Sequence, residues 1–450
     1  KEFASRYKKL VRTVPNNRLK NELIRTESVI ADLLNIRRKN SVFSKMDAKA
    51  KYTNTIESVV NFFCALSQEK PLILQLEDAH KADNDTKIVL QKLMKEASEF
   101  SLFLPVTCRQ NKDGTAFELD LENTEQIELQ PLQKEDVISF VGKNFDDAKL
   151  PYTIQKKVHD FCEGNPFYLE QLLIYLRENS LTFEDLNKPE TLIPPNINSL
   201  IISRIDALSN DLKKTVKTAS VLGREFAVNV LTIMLKELPI DTYLSEGENR
   251  EIWAAIKNIK YIFRHSLIRE SVYEMQLGKH LKKLHQLAAT TYEELYPAHE
   301  KYFYNIAFHY EMASQFPSAG RFYEKAGTIA KDKYQNDFAI EIFQKILNFP
   351  EDSVAKIMKI DVLLKQAEVY RLVGKSAESK ENLDAALILS KDNEEQHFRV
   401  ILNLGIYCTR KGEFEKALLL YQDAKKYFTS AKKNEQLVST LLQIGIVYTA

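Results

Sequence analysis

This sequence lacks a long hydrophobic run and an excess of charge of either sign, and each absence narrows what the protein can be. No apolar run approaches the ~18 residues of a membrane-spanning helix, and no signal peptide opens the chain. The 63 basic and 62 acidic side chains leave a net charge of +1, so no overall field would recruit nucleic acid or a membrane surface. We therefore expect a cytoplasmic protein with neither of these as a partner.

The sequence also lacks paired cysteines. Its 4 cysteines lie far apart with no Cys-x-x-Cys spacing: Cys64, Cys108, Cys162 and Cys408. Three of them have apolar or aromatic neighbours. This pattern favours buried, reduced thiols over a disulfide or a zinc site.

What is present is enough apolar sequence for several cores. The 450 residues are 44% hydrophobic and predict roughly two to four domains, at about 100 to 200 residues each. The chain begins at Lys1 without an initiator methionine and stops at Ala450, both within amphipathic helical patterns. We therefore expect a fragment of a longer protein.

The first segment, about 1 to 185, alternates short apolar runs with amphipathic stretches. The runs predict strands at 72–76, 102–108 and 126–132, and 86–100 predicts a helix between the first two. Strands that alternate with helices are typical of a parallel sheet. From Lys134 to about residue 180 the pattern is wholly helical.

The run "LILQL" at 72–76 ends in two acids. Because it is continuous and bounded by Pro71, it predicts a strand covered on both faces. Ligand sites of α/β proteins lie at the carboxyl ends of such strands. Glu77 and Asp78 are therefore candidate site residues.

The second segment, about 186 to 290, begins with a proline-marked linker around Pro194 and Pro195. Helical patterns and a strand-like stretch at 261–265 predict a winged-helix-like unit. No dense cluster of Arg and Lys accompanies them, so DNA binding is not expected.

The third segment, from about 300, is repetitive. Gly374 and Gly412 lie 38 residues apart, and Gly405 and Gly445 lie 40 apart. A period near 40, with Gly in the turns and small residues at helix crossings, predicts stacked helical hairpins. The pattern resembles the tetratricopeptide repeat.

The acids are part of a longer motif. "LILQLEDAHKAD" at 72–83 resembles the Walker B signature of the STAND class of signal-transduction ATPases, the Orc1-like AAA ATPase branch. In that element paired carboxylates hold a hydrated Mg²⁺ and orient water on a nucleotide phosphate. The resemblance implies catalytic and metal-binding roles for Glu77 and Asp78.

Further motifs follow in the order of that family and span nearly the whole chain. "LFLPVTCR" resembles the next core strand, with its polar sensor at Thr107 or Arg109. "CEGNPFYLEQLL" resembles the lid motif in which a Gly-x-Pro turn meets adenine, which implies nucleotide contacts at Asn165 and Pro166. "NINSLIISRIDALS" and "FRHSLIRESVYE" complete the set, and the latter implies a phosphate-sensing role for His265.

Each motif also has a plainer interpretation. Glu77 and Asp78 could be a solvated strand end or a helix N-cap. Asn165 and Pro166 also make a good helix start without any nucleotide. His265 could be a hydrogen-bonded histidine between two domains.

One family element is missing and another is altered. A P-loop needs Gly-x-x-x-x-Gly-Lys-Ser/Thr, and the 450 residues contain none. Either the sequence begins downstream of the P-loop, or the protein has lost the P-loop and kept the fold. The family's usual Trp after the histidine is replaced by Lys81.

The predicted fold is therefore an α/β P-loop-type ATPase core without its N-terminal part (1–133), a helical lid (134–185), a winged-helix-like arm (186–295) and an all-α tetratricopeptide-like solenoid (300–450). The resemblance implies a regulatory, nucleotide-dependent switch whose cofactors, ATP and Mg²⁺, require the missing P-loop. This chain alone is then not expected to turn over ATP efficiently.

The expected partners are a protein or peptide on the repeats and a fused output domain outside these residues, such as a protein kinase, histidine kinase, nucleotide cyclase or DNA-binding domain. The alternative is a non-catalytic interaction scaffold with a degenerate ATPase domain.

Overall fold

The computed structural model consists of two compact units. One comprises Lys1–Glu125 with Gly320–Ala450, and the other Gln126–Ala319. The described residues are 2–34, 36, 41–97, 99–109, 125–144, 152–181, 194, 196–257 and 259–449. The linker around Pro194 and Pro195 lies mostly outside them.

The N-terminal part of the first unit is mainly helical. In chain order it contains α1 (Glu2–Thr13), α2 (Asn17–Leu33), α3 (Val42–Lys45), α4 (Ala48–Glu69), β1 (Leu72–Ile73), α5 (Asn84–Ala97) and β2 (Leu102–Phe103). Asn16 and Asp47 cap α2 and α4 through their side chains, as expected at helix starts. Leu23, Cys64 and Leu93 form part of the core between the helices.

The strands form a short parallel ladder. Leu72 pairs with Leu102 and Ile73 with Phe103, and a parallel bridge joins Leu76 to Val106. Ile73 and Phe103 are 68% and 65% exposed. The prediction of a strand covered on both faces is therefore wrong, because the described elements cover only the face of Leu74 and Leu102.

The third predicted strand is also wrong. Residues 126–132 form no strand, and Ile127 and Leu129 are 75% and 90% exposed. An alternation of apolar and polar residues does not show whether an extended segment pairs with another strand. The described residues of 1–133 contain only the 2-stranded sheet of β1 and β2, so the α/β ATPase core stays a prediction.

The lid segment is helical, as predicted from Lys134 onward. It contains α6 (Lys134–Asn144), α7 (Tyr152–Cys162) and α8 (Pro166–Glu178). Val137, Val158, Cys162 and Leu172 lie in its buried cluster.

The segment predicted as the arm combines helices with a 3-stranded antiparallel sheet, and its winged-helix character stays a prediction. Its elements are α9 (Ile197–Asp206), α10 (Asn210–Leu222), β3 (Glu225–Ala227), α11 (Val228–Met234), α12 (Ile240–Asn249), β4 (Trp253–Lys257), β5 (Lys260–Phe263), α13 (Ser266–Glu274) and α14 (Gly278–Leu295). The strand order is β3-β5-β4. Trp253 is fully buried, and its indole N–H donates to the Leu244 carbonyl over 2.8 Å.

The helix before the β4–β5 hairpin is acidic. α12 carries Asp241, Glu246 and Glu248. Nucleic-acid backbones are polyanions that proteins contact with Lys and Arg, so this helix does not suit groove binding.

Two buried histidines join α14 to the next helix, α15 (Phe303–Met312). His285 Nδ1 lies 2.9 Å from His309 Nδ1, and His285 Nε2 lies 2.9 Å from the Tyr273 hydroxyl. Burial lowers the pKa of His285 to about 4 and that of His309 to about 3. Both imidazoles are therefore neutral at physiological pH.

The remaining helices form the predicted hairpin repeats. They are α16 (Phe316–Asp332), α17 (Asn336–Leu347), α18 (Lys356–Leu372), α19 (Ser376–Leu389), α20 (Glu394–Lys411), α21 (Phe414–Ser430) and α22 (Asn434–Thr449). Gly374 and Gly412 lie in the turns with φ of 80° and 78°, where glycine has no steric cost. The tetratricopeptide-like prediction for this region is confirmed as a helical repeat.

Within the hairpins, glycines pack directly against large aromatic side chains. A Cβ on Gly327 would lie 2.6 Å from the ring of Phe343, and a Cβ on Gly405 would collide with the ring of Tyr421. Both aromatic side chains are fully buried. The glycine and the aromatic residue are 16 positions apart in both pairs. The same packing contact therefore recurs at the same position of different hairpins.

Ion pairs join successive hairpins. Asp361 Oδ1 lies 2.6 Å from a guanidinium nitrogen of Arg399, and Glu395 Oε2 lies 2.8 Å from Lys433 Nζ. Each pair spans 38 residues, which matches the repeat period.

All four cysteines are free thiols, but the prediction that they are buried holds for three of them only. Cys64, Cys162 and Cys408 are buried, and Cys108 is exposed. Among the described residues, no helix is long and apolar enough to cross a membrane.

Candidate functional site

The acids of the Walker B-like motif lie at the carboxyl end of the parallel ladder. The Thr107 N–H donates to the Leu76 carbonyl over 2.9 Å, and the Ala79 N–H donates to the Thr107 carbonyl over 2.8 Å. The Asp78 N–H donates to Thr107 Oγ1 over 3.2 Å. The predicted polar sensor therefore lies beside the predicted acid.

Asp78 is held by a cation. Its backbone is left-handed, with φ of 55°, and its Oδ2 accepts from Lys81 Nζ over 3.0 Å. This hydrogen bond is the main cause that lowers the pKa of Asp78, and the charges of Lys81, Arg109 and His80 lower it further. Asp78 is therefore a carboxylate, and Lys81 already neutralises part of its charge.

The other two candidate residues at this end of the ladder, Glu77 and Arg109, face solvent. Glu77 is exposed, and its Oε1 accepts from Gln75 Nε2 over 3.1 Å. Arg109 is also exposed, and its backbone N–H donates to His80 Nδ1 over 3.3 Å. The structure thus brings Glu77, Asp78, Thr107 and Arg109 together. We call these four residues and Lys81 the acid edge.

The acid edge fits a magnesium ion only in part. Mg²⁺ usually takes one or two protein carboxylates and completes its shell with water and phosphate. Glu77 offers a solvated carboxylate, whereas Asp78 is engaged by Lys81. Among the described residues, no group of three or more His, Cys, Asp or Glu could hold a metal ion. A magnesium site here would need a phosphate, and the P-loop that holds phosphate is not among the 450 residues.

The lid motif forms a tight turn before α8. Gly164 has φ of 71°, and a Cβ there would lie 2.5 Å from the Leu132 carbonyl oxygen. The Gly164 carbonyl accepts from the Leu132 N–H over 2.8 Å. Only glycine fits this close approach, so the motif has a backbone reason beside any nucleotide.

The next two residues start α8. Asn165 Oδ1 accepts from the Phe167 N–H over 3.0 Å, and Pro166 occupies the first turn. This is the capping arrangement expected of a helix start without a ligand. It leaves the predicted adenine contact untested.

His265 lies against the same helix start. Its ring centroid is 4.0 Å from that of Phe167, and its Nε2 is 3.6 Å from Glu170 Oε2. Burial lowers the pKa of His265, the charge of Glu170 partly offsets this, and Arg224 and Arg264 lower it further. The structure thus places His265 against the helix that Asn165 and Pro166 start.

The candidate residues belong to different units. The acid edge lies in the unit of Lys1–Glu125 and Gly320–Ala450, and the α8 start lies in Gln126–Ala319. The prediction that α8 points across a cleft toward Glu77 stays a prediction.

Sequence reasoning missed a buried arginine. Arg204 is 8% exposed and binds both carboxylate oxygens of Glu178, with Nε–Oε2 at 2.8 Å and Nη2–Oε1 at 3.2 Å. It also contacts Gln171 Oε1 and donates to the Arg250 carbonyl over 3.0 Å. The signal was an arginine inside the apolar run "NINSLIISRIDALS", because buried arginines need partners.

No protein-family model matches the chain. An uncharacterized protein of Rhizobium meliloti (strain 1021) is 21% identical over 257 residues, which cover 54% of this chain and 24% of that protein. The peroxide stress-activated histidine kinase mak3 of Schizosaccharomyces pombe is 21% identical over 292 residues, which cover 60% of this chain and 12% of that protein. The matched regions are thus about a quarter and an eighth of these relatives.

One solved structure is similar over most of the chain. It is the crystal structure of a signal transduction ATPase with numerous domains (STAND) protein with a tetratricopeptide repeat sensor from Pyrococcus horikoshii. The match covers 97% of this chain and 79% of that chain at 13% identity, with a TM-score of 0.36. This TM-score is too low to show a common fold.

Proposed function

We propose that this chain is part of a nucleotide-dependent signalling regulator, with the helical repeats as the platform for a protein or peptide partner. The observation that carries the proposal is the acid edge: two acids and a threonine meet at the carboxyl ends of paired parallel strands. That is where ligand sites of α/β proteins lie. The ordered family motifs give the arrangement its interpretation as a Walker B edge.

The α8 start supports the same proposal. A helix N-terminus offers N–H groups and partial positive charge to an anion, and His265 lies beside it. In this proposal Asn165 and Pro166 shape the purine contact, and His265 responds to the phosphates.

The chain's own residues would have separate roles. Glu77 would orient water and share a magnesium ion with Asp78, and Thr107 would fix the Asp78 backbone through its hydroxyl. Bound Mg²⁺ would supply charge neutralisation for the phosphates. Because the 450 residues contain no P-loop to hold the phosphates, no hydrolytic step follows from this chain alone.

The match to a histidine kinase supports a signalling role for the complete protein. It concerns 60% of this chain and 12% of that kinase. We propose a fused output domain beyond these residues, and the matched relative makes a histidine kinase one candidate.

One observation favours the alternative of a non-catalytic scaffold. Lys81 replaces the family's usual Trp and pairs with Asp78. A cation on this carboxylate competes with a metal ion for it. In this alternative the repeats bind a partner and the acid edge has no catalytic role.

The test is ATP hydrolysis by the complete gene product, measured as phosphate release with and without Mg²⁺. We expect activity that Glu77→Gln lowers by at least tenfold, since general-base and water-positioning groups are worth about 10²–10⁴. Glu69→Gln is the matched control, an exposed acid at the end of α4. Equal activity in both variants, or no hydrolysis and no ATP binding in the wild type, would favour the scaffold.

A further inference from the structure

The start of α14 carries a local excess of positive charge. Its exposed basic side chains are Lys279, His280, Lys282 and Lys283. The sequence has no acid between Glu274 and Glu293. Among the described residues, no carboxylate lies within ion-pair distance of the three lysines. The net charge of +1 is a sum over the whole chain, so it excludes an overall field but not a local one.

Helix α10 adds two lysines at the same end of α14. Gln276, two residues before α14, donates through Nε2 to the Lys217 carbonyl over 3.2 Å and to Ser220 Oγ over 3.1 Å. These contacts tie the turn before α14 to α10. Lys214 is exposed one turn before Lys217, and residues 212–224 contain no acid. The basic surface is our name for five lysines: Lys214, Lys217, Lys279, Lys282 and Lys283.

A leucine projects from this basic surface. Leu277 immediately precedes α14 and is 80% exposed, with Lys279 two positions further along the chain. A single exposed leucine is ordinary on a protein surface, but this one lies on a turn with lysines on both sides. Lysine stems can lie along an apolar phase while their ammonium groups stay in water. Leucine flanked by lysines therefore suits the interface of a lipid bilayer.

The basic surface contains lysine and no arginine. Arginine recognises phosphates and base edges through paired hydrogen bonds, whereas lysine acts as a point charge. Arg269, which lies nearby, is already engaged: its Nε donates to the Ser220 carbonyl over 2.7 Å and its guanidinium lies over the Tyr273 ring. Point charges without paired geometry suit a partner whose negative charges are spread and mobile. Anionic lipid headgroups fit this description better than a nucleic acid or a folded acidic protein.

We propose that the basic surface and Leu277 dock this chain onto an anionic lipid bilayer. The lysines contact the headgroups, and Leu277 inserts at the boundary with the acyl chains. The proposal concerns the surface of a membrane and involves no spanning helix. It replaces the expectation, drawn from the net charge, that a membrane is not a partner. The inference goes beyond the proposed function, since it uses no nucleotide and no residue of the acid edge or the α8 start.

The size of each contribution sets what an experiment should measure. A lysine near an anionic leaflet strengthens binding about fivefold, so the three lysines of α14 together account for roughly a hundredfold. Insertion of one leucine adds up to about tenfold. The charge contribution is screened by salt and the leucine contribution is not, because the Debye length falls from about 10 Å at 0.1 M to about 3 Å at 1 M.

Vesicle co-sedimentation of the chain of residues 1–450 would test the docking. The vesicles are phosphatidylcholine alone or phosphatidylcholine with about 30% phosphatidylserine, at about 0.1 M salt. We expect binding to the anionic vesicles only, and its loss at about 1 M salt. The triple variant Lys279→Gln, Lys282→Gln, Lys283→Gln should bind roughly a hundredfold more weakly.

A second triple variant is the matched control, because it changes the net charge by the same amount. It replaces exposed lysines of the hairpin repeats by glutamine: Lys391, Lys425 and Lys426. We expect this variant to bind the anionic vesicles like the wild type. Equal binding by the two triple variants, or no binding to anionic vesicles by the wild type, would overturn the proposal.

The leucine separates a bilayer from other polyanions. Leu277→Ser keeps every charge, and we expect it to weaken vesicle binding by up to about tenfold. An environment-sensitive fluorophore on Leu277→Cys, with Cys108→Ser to remove the exposed thiol, should shift to the blue on anionic vesicles. The same fluorophore on Tyr152→Cys, which is also exposed, should not shift.

Two further results would overturn the docking. An unshifted fluorophore at position 277, or unchanged vesicle binding in Leu277→Ser, would show that no apolar contact forms. Tighter binding to a DNA duplex or to polyglutamate than to vesicles, lost in the α14 triple variant and unchanged in Leu277→Ser, would assign the basic surface to a nucleic acid or an acidic protein. None of these measurements involves ATP, so the proposed function can fail without affecting them.

Discussion

The hairpin repeats α16–α22, which we call the array, bury their aromatic side chains differently from the N-terminal part of the first unit. In the array, Tyr421 of α21 is fully buried over Gly405 of α20. In the N-terminal part, Ile73 and Phe103 share one face of the sheet and stay about two-thirds exposed. Stability in the array therefore rests on contacts inside a hairpin, whereas this sheet face contributes little to the fold of the described residues.

The two regions also place their charges differently. The array joins hairpins by half-buried pairs such as Asp361 with Arg399. The acid edge pairs Asp78 with a Lys81 that is 60% exposed. Charges of the array thus support its architecture, while those of the acid edge remain accessible to a ligand.

The largest expected difference lies between two aromatic truncations. Tyr421→Ala should lower the free energy of unfolding of the array by about 3–5 kcal/mol, because it removes a buried ring and leaves a cavity. Phe103→Ala should change stability by less than about 0.5 kcal/mol, because most of its ring is already in water. Hydrogen exchange over 394–430 and 102–106 reports the two regions separately.

A large loss in Phe103→Ala would show that a partner surface covers this sheet face in solution. Tyr421→Phe is the control for the array, since it keeps the ring and loses only the hydroxyl contact with Thr409 at 2.9 Å. If Tyr421→Phe were as damaging as Tyr421→Ala, the hydroxyl rather than the ring would hold the hairpin.

The same difference explains what could be predicted from the sequence. Gly405 and Tyr421 are 16 residues apart, and neighbours in a repeat recur at fixed spacing, so the array was predictable. The sheet was not, because the burial of Ile73 depends on distant segments. At the candidate site, the ordered motifs singled out Glu77, Asp78, Thr107 and His265, whose roles stay predictions. The hydrogen bonds of Arg204 were missed because they join residues up to 46 positions apart.

The second prediction compares two glycines at corresponding repeat positions. Gly405→Ala should lower stability by up to about 2 kcal/mol, because overpacking costs about 1–3 kcal/mol and the gain in helix propensity returns about 1 kcal/mol. Gly445→Ala should raise stability by up to about 1 kcal/mol, because a Cβ there meets no atom within 4 Å. Thermal unfolding followed by circular dichroism, with exchange over 394–449, measures both.

The informative result is the sign. Opposite signs would show that the aromatic contact, and not the helix position, demands glycine at 405. Destabilisation by both substitutions would mean that Gly445 also receives a side chain in solution.

The smallest expected effect concerns the acid edge. Lys81→Ala removes an exposed pair with a 3.0 Å contact, and solvent screening keeps the loss below about 0.5 kcal/mol. The pKa of Asp78 should rise toward its ordinary value of 3.8, because the hydrogen bond from Lys81 is the largest cause that lowers it. A carboxylate with a lowered pKa stabilises the fold above the unfolded pKa, and this contribution is lost as pH falls through the folded pKa. Wild type and variant should therefore differ slightly in free energy of unfolding at pH 7 and converge at the acid end.

Carboxyl NMR titration measures the pKa of Asp78 in the wild type and the variant. Arg399→Ala is the counterpart in the array, and the loss of its half-buried pair with Asp361 should lower the free energy of unfolding by more. An Asp78 pKa that stays low in Lys81→Ala would show that Arg109 and His80 hold the carboxylate, and that the acid edge keeps its charge without Lys81.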